Sequence, residues 1–283
     1  MPSLTLLGQS VIGGLLIGGL YTLLAFGLSL SWGLLRLVNI SYFALAFLSA
    51  YLTYQLGTVY NVAPWWSALI LVPAFFLLGT AMHWCFVRFG VVELASLVIT
   101  FSIAVLVEAL IQWIWSADFR KYESGYAGMT NHVGPFYIPT LDILALVTAI
   151  VLSLATWAWL RFTYVGKALR AAAQDADMAA AFGINHRRLS YILAGLCAAY
   201  SAIAGVFIAL ISTLAPSEIG TWIGVAFAIV IIGQPGNPIG VLLAGLLIGV
   251  SEAMTMAIAT PAWAPLVSFS ILILLLIWRP RWA

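Results

Sequence analysis

Charge is scarce in this sequence. Only 7% of its 283 residues are Asp, Glu, Lys or Arg, against 64% that are hydrophobic. A soluble globular chain carries about 25% charged residues. In water, so few charges would leave large apolar patches exposed, and such patches drive aggregation. The mean hydropathy of +1.11 points the same way. Cysteine and histidine are sparse too, at two and three residues. Cys85 and Cys197 lie in apolar stretches and read as small buried hydrophobes rather than a disulfide or redox pair. His83, His132 and His186 show no metal-ligand spacing, so no metal or cofactor is expected. The net charge of +2 is too small and too scattered to suggest a nucleic acid partner. No G-x-x-x-x-G-K-[ST] loop occurs, since Gly166-Lys167 lacks both the upstream Gly and the following Ser or Thr. No acid, base and nucleophile cluster within one stretch, which argues against an enzyme. No basic residue precedes Arg36, so the first apolar run lacks the positive flank of a cleavable signal and is expected to stay as a membrane helix.

What the chain has is long apolar runs. A span needs roughly 20 mostly apolar residues to cross about 30 Å of hydrocarbon. Nine candidates qualify: 10–34, 37–58, 63–87, 93–116, 138–160, 189–213, 219–233, 239–258 and 262–278. The seventh is short and runs into Gly233-Gln234-Pro235-Gly236-Asn237-Pro238; the second opens with Asn39 and Ser41 soon after Arg36. These two are the broken or half-inserted segments, so eight to nine spans are expected. The fold class is all-α, a polytopic transmembrane bundle forming one domain over 1–283.

Basic residues set the orientation, because loops rich in Lys and Arg stay in the cytoplasm. Loop 161–188 holds Arg161, Lys167, Arg170, Arg187 and Arg188 and is placed inside. Alternation then puts Arg36, Arg88, Arg279 and Arg281 inside as well, leaving Arg120 and Lys121 outside: nine of the eleven lysines and arginines on one side. The N-terminus is expected outside and the C-terminus in the cytoplasm. Tryptophans fall at both sets of ends, Trp65, Trp66, Trp113, Trp115, Trp222 and Trp263 outer, Trp32, Trp84, Trp157, Trp159, Trp278 and Trp282 inner, as interfacial belts do.

Glycines four apart, at Gly14 and Gly18, Gly236 and Gly240, and Gly245 and Gly249, read as close helix packing within one chain rather than a dimer seam. Two regions echo each other: 27–56, interrupted at 36–41, and 224–248, interrupted at 234–237. Paired interruptions mark transport pathways, because free helix ends can face a polar solute. Asn39, Ser41, Tyr42, Gln234 and Asn237 are the candidates for pathway lining. Asn39-Ile40-Ser41 also matches a glycosylation pattern, which its expected inner position excludes. Glu108 and Glu252 lie within spans, where a carboxylate is costly. Both are read as outer-half residues that reach headgroups or pack against a helix end; a polar pathway or a buried pair is the other reading.

Residues 161–188 form the one long polar stretch of the inner side. From Lys167 to Phe182 it is Ala-rich and free of Gly and Pro, which predicts one helix ended by Gly183 as its C′ residue. Lys167, Arg170, Gln174 and Asp177 fall on one face at helical spacing. Large apolar membrane anchors are few, so a groove of a partner protein suits this helix better than a lipid surface.

The run GKALRAAAQDADMAAAFGIN closely resembles the cytoplasmic loop of the branched-chain amino acid ABC transporter permease family. The resemblance rests on Gly166, Lys167, Arg170, Ala171, Ala173, Gln174, Asp175, Asp177, Ala179, Gly183, Ile184 and Asn185. GGLLIGGLYTLLAFGLSLSWGLLRLVNIS is similar to that family's first span and break, TFSIAVLVEALIQWIW to its central helix, and IIGQPGNPIGVLLAGLLIGVSEA to its late Gly-rich turn. Tyr42 and Phe43 stand where the family usually carries His-Gly or Gln-Gly, which puts a typical branched-chain substrate in doubt. The resemblance implies the permease subunit of an ATP-driven importer for amino acids, amides or urea. It further implies two cytosolic ABC ATPase subunits docked on the inner loop, a second permease subunit, identical or homologous, and an extracytoplasmic solute-binding protein. Gly166, Lys167, Arg170, Gln174, Asp175, Asp177, Gly183 and Asn185 would then couple to the ATPase. Loop 117–137, with Arg120, Lys121, Tyr122, Glu123 and Tyr126, would either touch the solute-binding protein or cap the helices. A gradient-driven transporter or channel is the alternative, and copurified ATPase subunits would separate the two.

Overall fold

Glycine pairs set the central contact of the fold. In the computed structural model, which describes residues 4–123, 125, 130–133, 135–258 and 263–278, helices α1 (Leu4–Leu30) and α10 (Pro238–Ile258) share the most extensive interface. A Cβ on Gly14 would stand 2.7 Å from the carbonyl of Gly249, and one on Gly18 2.7 Å from that of Gly245. Each glycine pair thus packs on the other, and the backbones touch where any side chain would hold them apart. Close packing within one chain is the observed use of these two pairs. The third behaves differently: Gly240 packs against the carbonyl of Gly233 across a turn.

The remaining elements are α2 (Ser41–Val59), α3 (Pro64–Arg88), α4 (Glu93–Trp115), an antiparallel hairpin of β1 (Thr130–Val133) and β2 (Phe136–Pro139), α5 (Thr140–Phe162), α6 (Tyr164–Gln174), α7 (Ala176–Ala181), α8 (His186–Ile211), α9 (Ile219–Gly233) and α11 (Ala264–Trp278). Helix α8 lies at the centre, packed on α1, α2 and α3. Small residues again set the distances: a Cβ on Gly205 would meet the carbonyl of Ala46, and one on Gly79 would meet Ala194 and Ala198.

Among the described residues, seven helices are long and apolar enough to cross a membrane: Thr5–Leu35, Pro64–Arg88, Leu94–Trp115, Thr140–Phe162, His186–Ile211, Pro216–Gly233 and Pro238–Ile258. This corrects the expected eight to nine. Helix α2 has the length but is diluted by Ser, Thr, Tyr and Gln, and it is walled in by protein rather than lipid. Its Ser49 hydroxyl donates to the Ala202 carbonyl at 2.9 Å, and Gln55 accepts from the Trp115 indole at 2.9 Å. Helix α11 is too short, at 15 described residues. The short seventh segment does qualify, because a 3₁₀ turn at Pro216–Glu218 lengthens it. Both cysteines are free, Cys197 buried and Cys85 half-buried.

The ends of the bundle differ. At one end, Gln9 pairs with the backbone of Tyr137 through both amide atoms, at 2.7 and 3.0 Å. There Arg120 and Leu214 form a two-bond bridge at 3.0 and 2.7 Å. The Tyr122 ring covers Gly57, which a side chain would displace. Loop 117–137 therefore caps the helices where it is described; Tyr126 lies outside the described residues. At the opposite end, Arg36 lies at the first break, Arg161 and Arg170 share a cavity with the second, and Arg88 and Arg187 line a separate cleft. Arg279, Arg281 and Trp282 lie outside the described residues.

Candidate functional site

The first break begins inside α1. Its last turn widens into a π-helix over Ser31–Leu35, ended by Arg36 in the left-handed region at φ 54. The Ser31 hydroxyl donates to the Leu37 carbonyl at 2.9 Å. Thr100 of α4 accepts the Ile40 amide at 3.2 Å and donates to the Val38 carbonyl at 3.3 Å. Backbone groups freed by the interruption thus find side-chain partners, as burial demands. Asn39 is buried, and its side-chain oxygen accepts from the Ser41 amide at 3.0 Å and from the Ser41 hydroxyl. Tyr42 is buried in the first turn of α2 with its hydroxyl beside Ser31, Asn39 and Cys197.

The second break has the same logic. Gln234 leaves α9 at φ 69 and Gly236 turns at φ 82. The Asn237 oxygen accepts from the Gly240 amide at 3.2 Å, starting α10 with Pro238 in its first turn. In both breaks an asparagine orders the start of the departing helix.

The two breaks meet. The Gly236 amide donates to the Ser29 carbonyl at 2.9 Å, with the Ser29 hydroxyl at 3.1 Å. A Cβ on Gly33 would stand 2.2 Å from that amide nitrogen. Neither Ser29 nor Gly33 stood out in the sequence; a small residue beside each interruption was the only signal available.

Residues 161–188 lie beside this junction. One predicted helix is in fact two, because Asp175 turns extended, at φ -148 and ψ 106. Its carboxylate accepts the amides of Asp177 at 3.1 Å and Met178 at 2.9 Å, a cap that starts α7 afresh. Gly183 ends α7 at φ 80 as expected, with its amide on the Ala180 carbonyl at 2.9 Å and that of Ile184 on Ala179 at 3.1 Å, a Schellman motif. Asn185 then caps α8 through the Arg188 amide at 3.2 Å. Gly166 is required where α6 crosses α5: a Cβ there would lie 2.4 Å from the Trp159 carbonyl. Leu169, Ala168 and Ala172 are buried, whereas Lys167, Arg170, Gln174, Asp175 and Asp177 are exposed. Met178 and Phe182 stand out beside them, at 59% and 79% exposed.

Helix α6 touches the first break and shares a cavity with the second. The Arg36 guanidinium donates to the Gln174 carbonyl at 3.4 Å, and a 270 Å³ cavity lined by Leu34, Arg36, Gln174, Asp175 and His186 lies between them. On the other flank, Arg161 and Arg170 share a 580 Å³ cavity with Gly236, Asn237 and Pro238. Asn39, Ser41 and Tyr42 do not reach either cavity; Asn237 does.

Glu252 departs from its expectation. It is buried, and its carboxylate accepts from the Tyr21 hydroxyl at 2.8 Å and from the Ser268 hydroxyl. Those two donors offset its desolvation without a headgroup. Glu108 is half-buried and accepts from Gln112 at 3.2 Å, one turn on. Among the described residues no cluster of His, Cys, Asp and Glu could hold a metal ion.

A helical bundle with two interrupted segments joined under an amphipathic surface helix is a multi-pass membrane protein of the transporter class. The chain belongs to the family described as branched-chain amino acid transport system / permease component, which matches residues 10–276. It is therefore a permease component and not an enzyme. It is 24% identical over 287 residues to the high-affinity branched-chain amino acid transport system permease protein LivH of Escherichia coli K12, covering 96% of this chain and 93% of that protein. Identity to LivH of Salmonella typhimurium is 24% over 304 residues, with the same coverage. Identity to the permease protein BraD of Pseudomonas aeruginosa is 24% over 302 residues, covering 99% and 96%. No solved structure matches the chain.

Proposed function

We propose that this chain is the inner-membrane permease subunit of an ABC importer that carries a branched-chain amino acid, or a solute of similar size and polarity, into the cell. Cytosolic ATPase subunits drive it, a second permease subunit completes the channel, and a solute-binding protein delivers the solute at the end capped by the hairpin. Residues 161–188 face the cytoplasm, the N-terminus lies outside and the C-terminus inside; Arg161, Lys167, Arg170, Arg187 and Arg188 in that one stretch support this.

One observation carries the coupling: α6 touches the first break through Arg36 and Gln174 and shares a cavity with the second through Arg170. Lys167, Arg170, Gln174, Asp175 and Asp177 face outward for an ATPase groove, with Met178 and Phe182 as apolar anchors. Gly166, Gly183 and Asn185 shape the backbone that presents them. A push on α6 reaches both interruptions at once. Asn39, Ser41, Tyr42, Gln234 and Asn237 would then shift with the helix ends they order and line the inner part of the path. ATP binding must favour one arrangement over the other for such coupling to exist.

The test is transport in proteoliposomes holding the permease pair, the ATPases and the binding protein. Arg170→Glu combined with Asp175→Lys should abolish ATPase association and uptake while the permease remains folded. Unchanged uptake by that variant, or uphill uptake by the permease with no nucleotide, would remove the proposal.

A further inference from the structure

Helices α3 and α8 touch through small residues in mid-span, at Gly79 against Ala194 and Ala198. One turn nearer the loop end, Thr80 reaches the Tyr191 carbonyl at 3.4 Å and the His83 ring meets Tyr191 edge-on at 5.6 Å. Beyond that pair a 310 Å³ cleft opens, lined by Trp84, Val87, Arg88, Arg187 and Tyr191. Neither guanidinium makes a hydrogen bond or ion pair with any described residue, and no carboxylate lines the cleft. Two guanidinium groups, an indole N–H and a phenol hydroxyl leave it rich in donors. Arg88 ends one membrane helix and Arg187 opens another, so the cleft sits at headgroup level. Leu77, seven residues before Trp84 on the same face of α3, is 67% exposed and continues an apolar track toward the bilayer centre.

We propose that this cleft binds the phosphate of an anionic phospholipid, with both arginines on the phosphate and an acyl chain along Trp84 and Leu77. Arginine suits this because its planar fork donates two parallel hydrogen bonds to phosphate oxygens. The bound lipid would fix the spacing of α3 and α8 directly behind the start of α8, where the inner loop ends. The inference requires only that α3 and α8 cross the bilayer, and it is independent of ATP coupling.

The experiment is native mass spectrometry of the full chain in detergent, titrated with phosphatidylglycerol or phosphatidylcholine. Arg88→Gln and Arg187→Gln should each weaken phosphatidylglycerol binding about fivefold, and together about 30-fold. Arg161→Gln, at the same end of the bundle, should leave lipid binding unchanged, and phosphatidylcholine, whose choline cation offsets its phosphate, should bind the parent more weakly than phosphatidylglycerol does. Melting in detergent checks that each variant folds; the Arg88→Lys, Arg187→Lys pair keeps the charge and should retain most of the binding. Undiminished phosphatidylglycerol on a folded double variant overturns the proposal. So does displacement of the lipid by millimolar inorganic phosphate, which would mark a free-anion site. Loss of ATPase subunits from the double variant with its lipid retained would assign the arginines to the protein interface instead, and the proposal would fall.

Discussion

The Gly236 amide donates to the Ser29 carbonyl, tying a turn near the end of the chain to a helix near its beginning. Both interruptions of the bundle thereby form one junction, and Gly33 is the residue that lets them close. A methyl group at Gly33 would collide with backbone on its partner, 2.2 Å from the Gly236 nitrogen and 2.3 Å from the Pro235 carbonyl carbon. Gly33→Ala should destabilise the protein by about 1–3 kcal/mol through overpacking and should lower uptake. Thermal unfolding in detergent reads the first effect and a proteoliposome assay the second; a variant with parental melting and uptake would show the contact to be dispensable.

Neighbouring glycines of α1 should behave oppositely. A Cβ on Gly13 meets nothing within 4 Å, whereas one on Gly14 meets the Val250 Cα at 2.6 Å. Gly13→Ala is expected to change stability by less than about 0.5 kcal/mol. Gly14→Ala should force α1 from α10 and cost about 1–3 kcal/mol. Equal melting temperatures for the two variants would contradict the packing described.

Asp175 combines a cap with a charge, and the two are separable. Asparagine caps a helix about as well as aspartate, and alanine does so about 1 kcal/mol worse. Asp175→Asn should therefore preserve α7, while Asp175→Ala should loosen it. Amide hydrogen exchange at Asp177 and Met178 measures this directly. If Asn alone already abolishes ATPase binding with exchange unchanged, the charge is what the partner reads.

Glu252 depends on donors from two other helices. Tyr21→Phe removes one and leaves the carboxylate short of a partner, at an expected cost of about 1–3 kcal/mol. Tyr21 and Ser268 donate to different oxygens of Glu252, so Glu252→Gln keeps an acceptor for one of them and should be milder than Glu252→Ala. A double-mutant cycle of Tyr21→Phe with Glu252→Gln should return a coupling of about 0.5 kcal/mol or more. Additive effects would deny the interaction.

Much of this structure was legible before any coordinates. Apolar runs located the helices, and Gly183 marked the end of α7 because its left-handed backbone is one that few other residues adopt. Both breaks announced themselves through Pro, Gly and Asn. The misreadings share a cause, which is that local pattern does not report tertiary surroundings. Residues 167–182 look like one helix by propensity, yet Asp175 caps better than it continues. Helix α2 reads as a span by its apolar residues, although its Ser, Tyr and Gln side chains already suited a protein-walled position. One partner of Glu252, Tyr21, lies 231 residues away, at a separation that no periodicity encodes. The β1–β2 hairpin, with four residues in each strand, is too short for its alternation to stand out from a loop.

The capped end of the bundle bears on how the opposite end moves. There Gln9 clamps α1 to the hairpin, while Arg120 and Leu214 tie the α4 exit to the α8 exit. With these staples as pivot, α1 acts as a lever arm: its 27 residues span about 40 Å. A tilt of about 5° would then sweep the far tip by about 3.5 Å on that arm length. Any such tilt would concentrate its amplitude where the π-helical turn and Gly33 lie and would leave the hairpin side nearly still.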